Sequence, residues 1–166
     1  MTPKRHRMQV PPNSDLTLGM VCVDKATPGR CTWRMTADER FANPAGIMQG
    51  GFLGAFADSA MGAAAVTFVR GRKVFASNAE MKISFLAPIP PGAVLTCTAE
   101  VVSGGATVAF VEASIWSGES GESGESGRAA PAPAPAPAPP PASPRSEGRL
   151  VARANSTYIF RSRDPD

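Results

Sequence analysis

The chain has 166 residues, 43% of them hydrophobic and 19% charged, so it is long and apolar enough to bury one folded core. Its formal net charge of +3 comes from basic residues in small scattered groups. No aromatic residues alternate with them, which argues against a nucleic-acid-binding surface. The only histidine, His6, lies near the N-terminus, which disfavours a catalytic triad, a Cys-His pair and a His-ligated metal site. Any general base is therefore expected to be a carboxylate, with no metal or other cofactor.

The cysteines and the first residues indicate the compartment. Cys22, Cys31 and Cys97 show no metal-binding spacing, and an odd number of cysteines without a signal peptide predicts reduced thiols. The apolar segment at 49–66 contains many glycines and is closely bracketed by charge, so we do not expect it to cross a membrane. We therefore expect a cytoplasmic protein.

Turn residues separate the first predicted elements. Residues 1–15 carry several prolines among charges and are predicted to be a flexible tail. Two strand-like runs, 16–23 and 30–35, are separated by a Thr-Pro-Gly turn and predict a hairpin. Residues 41–46 form a turn-rich approach to the apolar segment.

Segment 49–66 is predicted to be a helix with no polar face, and Asp58 is its one carboxylate. The residues three, four and seven positions away cannot pair with a charge; they are Gly51, Gly54, Ala55, Met61, Gly62 and Ala65. Such a helix is expected to be buried, and a buried carboxylate without a partner is costly. A group of this kind usually has a function, so Asp58 is the leading catalytic candidate. The alternative is that Asp58 bonds a backbone group or a residue of a partner subunit.

Alternating polar and apolar residues predict strands over 74–86, 94–102, 107–116 and 150–160. Three Gly-Glu-Ser repeats and an Ala-Pro run form a low-complexity insert at about 117–148, which cannot bury enough apolar surface to fold. We favour a tolerated hairpin expansion over a proline-rich docking ligand, since longer loops cost little extra to close. One long apolar helix with antiparallel strands implies an α+β fold in which the sheet wraps around the helix.

Two motifs carry a family resemblance. Asn-Pro-Ala-Gly-Ile-Met-Gln-Gly-Gly at 43–51, followed by Asp-Ser-Ala-Met-Gly at 58–62, resembles the signature of hotdog-fold acyl-CoA thioesterases of the phenylacetic-acid-degradation type. The resemblance covers about residues 16–116 and 148–160. It implies a hotdog fold, with one long central helix wrapped by a twisted antiparallel sheet of five to six strands. The single domain would span 16–160, with the disordered insert inside it and a short tail after it at 161–166.

The resemblance also implies roles for particular residues. The backbone N–H of Gly50 would polarise the thioester carbonyl at the helix start, where free amides and the helix dipole suit an oxyanion. The Asn43 amide would help to hold the thioester or water, and Asp58 would act as general base or nucleophile. Asn78 falls where relatives often place a hydroxyl residue from the partner subunit to orient water. Gly51 and Phe85 would help to form the substrate pocket.

Several of these residues also have simpler structural explanations. Gln49, a substrate-binding candidate, replaces the histidine usual before the Gly-Gly pair and is more readily explained as a scaffold residue. Gly50 and Gly51 can serve helix entry alone, and Asn43 can be only a turn residue. The basic residues at 70–73 are more readily explained as a solvated helix end than as a coenzyme A phosphate clamp.

The predicted function is hydrolysis of acyl-CoA or acyl-carrier thioesters by a homodimer or homotetramer with active sites at the dimer interface. No nucleic-acid or membrane partner is expected. One alternative is a non-catalytic module that binds acyl thioesters, which the Gln49 departure leaves open. A dehydratase or hydratase is less favoured, because such relatives generally need a histidine and the chain has only His6.

Overall fold

The computed structural model describes residues 9–118 and 148–162, which form two α-helices, one 3-10 turn and six strands. In chain order they are α1 (Asn13–Leu18), β1 (Val21–Asp24), β2 (Arg30–Thr36), the 3-10 turn (Glu39–Phe41), α2 (Gly50–Phe68), β3 (Val74–Phe85), β4 (Val94–Gly104), β5 (Val108–Gly118) and β6 (Arg149–Ser162). Every strand pairing is antiparallel, in the order β1-β2-β4-β5-β6-β3. The α+β architecture of one long helix against a six-stranded sheet confirms the predicted hotdog fold.

The helix α2 packs on the sheet through one face. Its buried side chains recur every three or four residues, as the helical period requires, and include Leu53, Phe56, Ala57, Ala60, Met61 and Ala64. Phe56 and Met61 are fully buried, which stabilises the fold by about 1.5–3 kcal/mol each. By length and composition α2 could also cross a membrane, a test that the core helix of a soluble protein passes equally well.

The opposite face of α2 is open, so the prediction of a helix buried all round is wrong. Gly51, Asp58 and Val66 are exposed, and Ala55 and Gly62 between them are half-buried. The sequence could not show this face because glycine and alanine are small and apolar whether or not anything covers them.

The N-terminal strand is shorter than predicted. Residues 13–18 form α1, which ends at Gly19 with a left-handed φ of 66°, and the strand starts only at Val21. Asp15, at the end of the predicted tail, is 3% exposed and accepts a hydrogen bond from Ser59 Oγ at 3.0 Å. The insert predicted at 117–148 falls almost wholly outside the described residues, and the domain limits stay a prediction.

A β-bulge in β3 decides which side chains face α2. Asn78 pairs with Tyr158 and Glu80 with Thr157, so Ala79 is an extra residue without an opposite partner. Without it, strand alternation would place Asn78 and Met81 on opposite faces. With it, Asn78 lies on the same face as Met81, Ile83 and Phe85.

Candidate active site

An open cleft of about 610 Å³ lies between the first half of α2 and the face of β3 that the bulge creates. It is lined by Gln49, Gly50, Gly51, Gly54, Ala55, Asp58, Asn78, Met81, Ile83 and Phe85. The fold therefore brings together every predicted site residue except Asn43. Among the described residues that line the cleft, Asp58 is the only one with a charged side chain.

Asp58 is exposed on the cleft side, and its carboxylate has two side-chain hydrogen-bond partners. The prediction that this carboxylate is buried and has no partner is therefore wrong. Asn78 Nδ2 donates to Oδ1 of Asp58 at 2.6 Å, and the Tyr158 hydroxyl donates to the same oxygen at 2.7 Å. The two partners lie on strands β3 and β6. The spacing of residues along the helix therefore could not reveal them. The cleft position keeps Asp58 a candidate for chemistry.

Asn78 is oriented by a serine behind it. Ser156 Oγ, on a residue 5% exposed, donates to Asn78 Oδ1 at 2.8 Å and also lies 2.7 Å from the Glu80 carbonyl oxygen. With its oxygen held by Ser156, the amide turns its NH₂ group toward Asp58. Asn78 thus contacts the carboxylate of its own chain, whereas the resemblance had suggested a residue that acts from the partner subunit.

Tyr158 on β6 is a second polar partner of Asp58. Its side chain is 3% exposed, yet its hydroxyl lies 2.7 Å from Asp58 Oδ1 and 3.0 Å from the Asp58 carbonyl oxygen. Burial first, and then the hydrogen bond to Asp58, raises the pKa of Tyr158 well above its ordinary range. The hydroxyl therefore remains a protonated donor. Its only sequence signal is that it is the one tyrosine of the chain.

The start of α2 offers unpaired backbone donors. Gln49 is the N-cap residue and makes no side-chain capping bond, while its own N–H donates to the Phe41 carbonyl at 2.7 Å. The N–H groups of Gly50 and Gly51 precede the first helical hydrogen bonds and find no acceptor among the described residues. Such amides at a helix start are suited to bind a developing negative charge.

Asn43 stabilises the loop before α2 and does not line the cleft of its own chain. Its Oδ1 accepts from the backbone N–H of Ala45 at 2.9 Å and lies 3.4 Å from that of Ile47, while the Asn43 N–H donates to the Ile47 carbonyl at 2.8 Å. These bonds give direct support to the turn-residue alternative. Its Nδ2 makes no hydrogen bond within residues 9–118 and 148–162, so a donor remains for a ligand.

The basic residues at 70–73 lie beyond the far end of α2 from the cleft. Arg70 donates to the Lys25 carbonyl at 2.9 Å, and Arg72 donates to the Ala106 carbonyl at 2.6 Å while stacking over the Phe160 ring. This placement favours the helix-end interpretation over a phosphate clamp for the cleft of the same chain.

Within the part of the chain that the structure describes, no cluster of three His, Cys, Asp or Glu residues could hold a metal ion.

Comparisons with known proteins identify thioesterases among the proteins that this chain resembles. The thioesterase superfamily model matches residues 45–123. Acyl-coenzyme A thioesterase 13 of Homo sapiens is 26% identical over 103 residues, 62% of this chain and 72% of that protein. The Escherichia coli PaaI protein from the phenylacetic acid degradation operon has a TM-score of 0.65 at 19% identity, covering 87% of this chain and 81% of its own. A thioesterase family protein from Silicibacter pomeroyi has a TM-score of 0.68 at 23% identity, covering 90% and 89%.

The chain is a hotdog-fold relative of these thioesterases. The resemblance predicted from the motifs at 43–51 and 58–62 is thereby confirmed, and the matched region 45–123 includes most of both motifs and the bulged strand β3. The superfamily match and the relative acyl-coenzyme A thioesterase 13 support the prediction that this hotdog-fold protein is an enzyme of the thioesterase class.

Proposed function

We propose that the protein hydrolyses acyl-CoA thioesters, with Asp58 as general base and the helix-start amides as the oxyanion site. The observation that supports it most is the Asp58 carboxylate on the wall of an otherwise uncharged cleft, with Oδ1 held by two donors. The thioesterase superfamily match and the relative named acyl-coenzyme A thioesterase 13 support the reaction and the choice of coenzyme A as carrier.

The two halves of this machinery require two subunits. Gly50 and Asp58 are eight residues apart on one helix, which corresponds to about 12 Å along its axis. That separation is too long for both groups to reach one thioester carbonyl, because reacting atoms must approach to about 3–3.5 Å. We therefore propose that the helix start of one subunit faces Asp58 of the partner subunit across a dimer interface.

The surface around the cleft supports such a dimer. β3 is the last strand of the sheet, and its far edge pairs with no described strand. Phe85 and Leu86 at its end are 54% and 52% exposed, and the open face of α2 lies beside it. A second copy would cover this apolar surface and complete the site.

The proposed reaction is addition of water followed by loss of the thiol. Asp58 takes a proton from water, the hydroxide oxygen bonds to the thioester carbon, and the carbonyl oxygen becomes an oxyanion held by the Gly50 N–H. The C–S bond then breaks, and the thiolate leaves with the proton returned by Asp58, giving a carboxylic acid and coenzyme A. The Nδ2–H of Asn43, which has no described partner, would donate a hydrogen bond to the thioester carbonyl oxygen. Gln49 and Gly51 would border the thioester.

The cleft lining indicates the kind of acyl group. Met81, Ile83 and Phe85 form an apolar wall opposite Gly54 and Ala55, and none of the described lining residues is a cation that could pair with a second carboxylate on the substrate. We propose an uncharged apolar acyl group, whether aliphatic or aromatic. A reducing, cytoplasmic compartment is also proposed, since all three cysteines are free thiols.

A panel of acyl-CoAs with detection of free coenzyme A thiol tests the proposal. Asp58→Asn is expected to lower kcat at least a hundredfold with the fold retained, the usual contribution of a general base. Glu112→Gln, on an exposed carboxylate of β5, is the matched control and should leave kcat unchanged. Wild-type turnover in Asp58→Asn would reject the role of Asp58.

Two alternatives give different results in the same assay. If Asp58 attacks the carbonyl itself, an anhydride forms, and when water then attacks the Asp58 carboxyl carbon, single turnover in ¹⁸O-labelled water leaves the first acid unlabelled and Asp58 labelled. A non-catalytic binding module would bind a thioester analogue but release no thiol. The observation in its favour is Gln49, which is exposed at the cleft and makes no side-chain hydrogen bond as N-cap.

A further inference from the structure

The Tyr158 hydroxyl and the Asn78 amide approach the same oxygen of Asp58. We propose that Tyr158 is a positioning residue that, together with Asn78, anchors Oδ1 of Asp58 and so presents Oδ2 to the attacking water. This inference rests on the proposed function, since it names which carboxylate oxygen takes the proton and which residues orient it.

The hydrogen-bond pattern of the carboxylate is asymmetric. Oδ1 receives bonds of 2.6 Å from Asn78 and 2.7 Å from Tyr158, whereas Oδ2 receives none from residues 9–118 and 148–162. Hydrogen bonds to an ionised acceptor are short and about twice as strong as neutral ones. Rotation of the carboxylate would break both bonds at once, so the pair fixes its orientation and leaves Oδ2 available in the cleft.

The Tyr158 ring is held in place by its surroundings. It lies on β6, between β5 and β3, and is 3% exposed. A side chain on Gly62, one helical turn after Asp58, would have its Cβ 3.5 Å from the tyrosine hydroxyl oxygen. That distance is an ordinary van der Waals contact, so this turn of α2 lies directly against the hydroxyl. A donor this well packed loses little entropy when it binds the carboxylate, which favours a positioning role.

The other groups near Asp58 are neutral or already engaged. Asn78 and Ser156 approach from the sheet, and the Asp15 carboxylate accepts from Ser59 Oγ on the next residue of α2. Because burial raises the pKa of Tyr158, its hydroxyl keeps its proton throughout the working pH range of an enzyme. No other described group donates to the carboxylate oxygens of Asp58.

Steady-state kinetics of Tyr158→Phe, Asn78→Ala and the double variant test the inference. Each single variant should lower kcat about tenfold and change KM less than about twofold, because one anchor remains. In the double variant the carboxylate is free to rotate, so the loss should exceed the product of the two single losses. Thr67→Val removes a buried hydroxyl at the far end of α2 and should cost stability without changing kcat.

A spectroscopic measurement covers the case in which Tyr158→Phe does not fold. Tyr158 is the only tyrosine, so biosynthetic incorporation of 3-fluorotyrosine labels it alone. Its ¹⁹F resonance should shift in Asp58→Asn and stay in place in Thr67→Val. An unmoved resonance in Asp58→Asn, a Tyr158→Phe protein with wild-type kcat, or strictly multiplicative losses would overturn the inference. If the wild type hydrolyses no thioester, or Asp58→Asn retains full turnover, the proposed function itself has failed instead.

Discussion

The ring of Phe85 occupies the space that a side chain on Gly50 would need. A Cβ built on Gly50 would lie 2.8 Å from Phe85 Cζ and 3.1 Å from Cε1, closer than carbon atoms pack. The first residue of α2 and the last residue of β3 thus meet at the cleft, and glycine at position 50 has a packing reason besides its exposed amide.

We predict that Gly50→Ala impairs activity by displacing the Phe85 ring into the cleft. The ring is 54% exposed and can swing away, so stability should change by less than about 1 kcal/mol while kcat/KM falls about tenfold. Introduced into a Phe85→Ala background, Gly50→Ala should cost almost nothing. Gly105→Ala, between β4 and β5, is the control, since a Cβ there meets no atom within 4 Å. Equal losses in both backgrounds would show that the methyl group blocks the thioester directly.

A second prediction concerns the bulge at Ala79. Deleting Ala79 removes the bulge and makes the β3–β6 pairing regular. The side chains of β3 on one side of the deletion, either before or after it, must then turn to the opposite face of the sheet. Asn78 can then no longer share a face with Met81, so activity and thermal stability should both fall. Ala79→Ser keeps the residue count and should preserve both. Thermal unfolding and thioester turnover measured on the two variants decide the matter, and an active deletion variant would contradict the assigned register.

The fold and most of the cleft residues could be predicted from the sequence, but the hydrogen-bond network around Asp58 could not. The helix, the long strands and the motif residues Gly50 and Asp58 all follow from local patterns. Tyr158 could not be found in this way, because it lies 100 residues after Asp58 and meets it only through strand pairing. The bulge at Ala79 has no local signal either, since alanine is compatible with a regular strand. Small residues likewise concealed the open face of α2.

The cysteines provide a third prediction, on thiol reactivity. Cys31 and Cys97 are 4% and 0% exposed, and burial raises the pKa of both thiols, to about 12 for Cys31. Cys22 is half-buried, with a smaller rise from the same cause. A thiol-reactive dye should therefore modify one cysteine per native chain and all three after unfolding. Mass spectrometry of labelled peptides should identify Cys22, and rapid native labelling of Cys97 would contradict the packing.

The same buried groups predict a loss of stability in alkali. Because folding raises the pKa of Cys31 from 9.0 to about 12, the unfolded chain loses this proton at a lower pH than the folded chain. The stabilisation is complete below about pH 9 and declines as the pH rises toward 12, by up to about 4 kcal/mol at 1.36 kcal/mol per pH unit.

Tyr158 adds a similar decline that begins near pH 10, where an unfolded tyrosine ionises. Urea unfolding across this range should show the decline, and Cys31→Ala should reduce it between about pH 9 and 10. Tyrosinate absorbance should rise only together with unfolding; ionisation of Tyr158 in the folded protein would show that its hydroxyl is not held in the buried contact with Asp58.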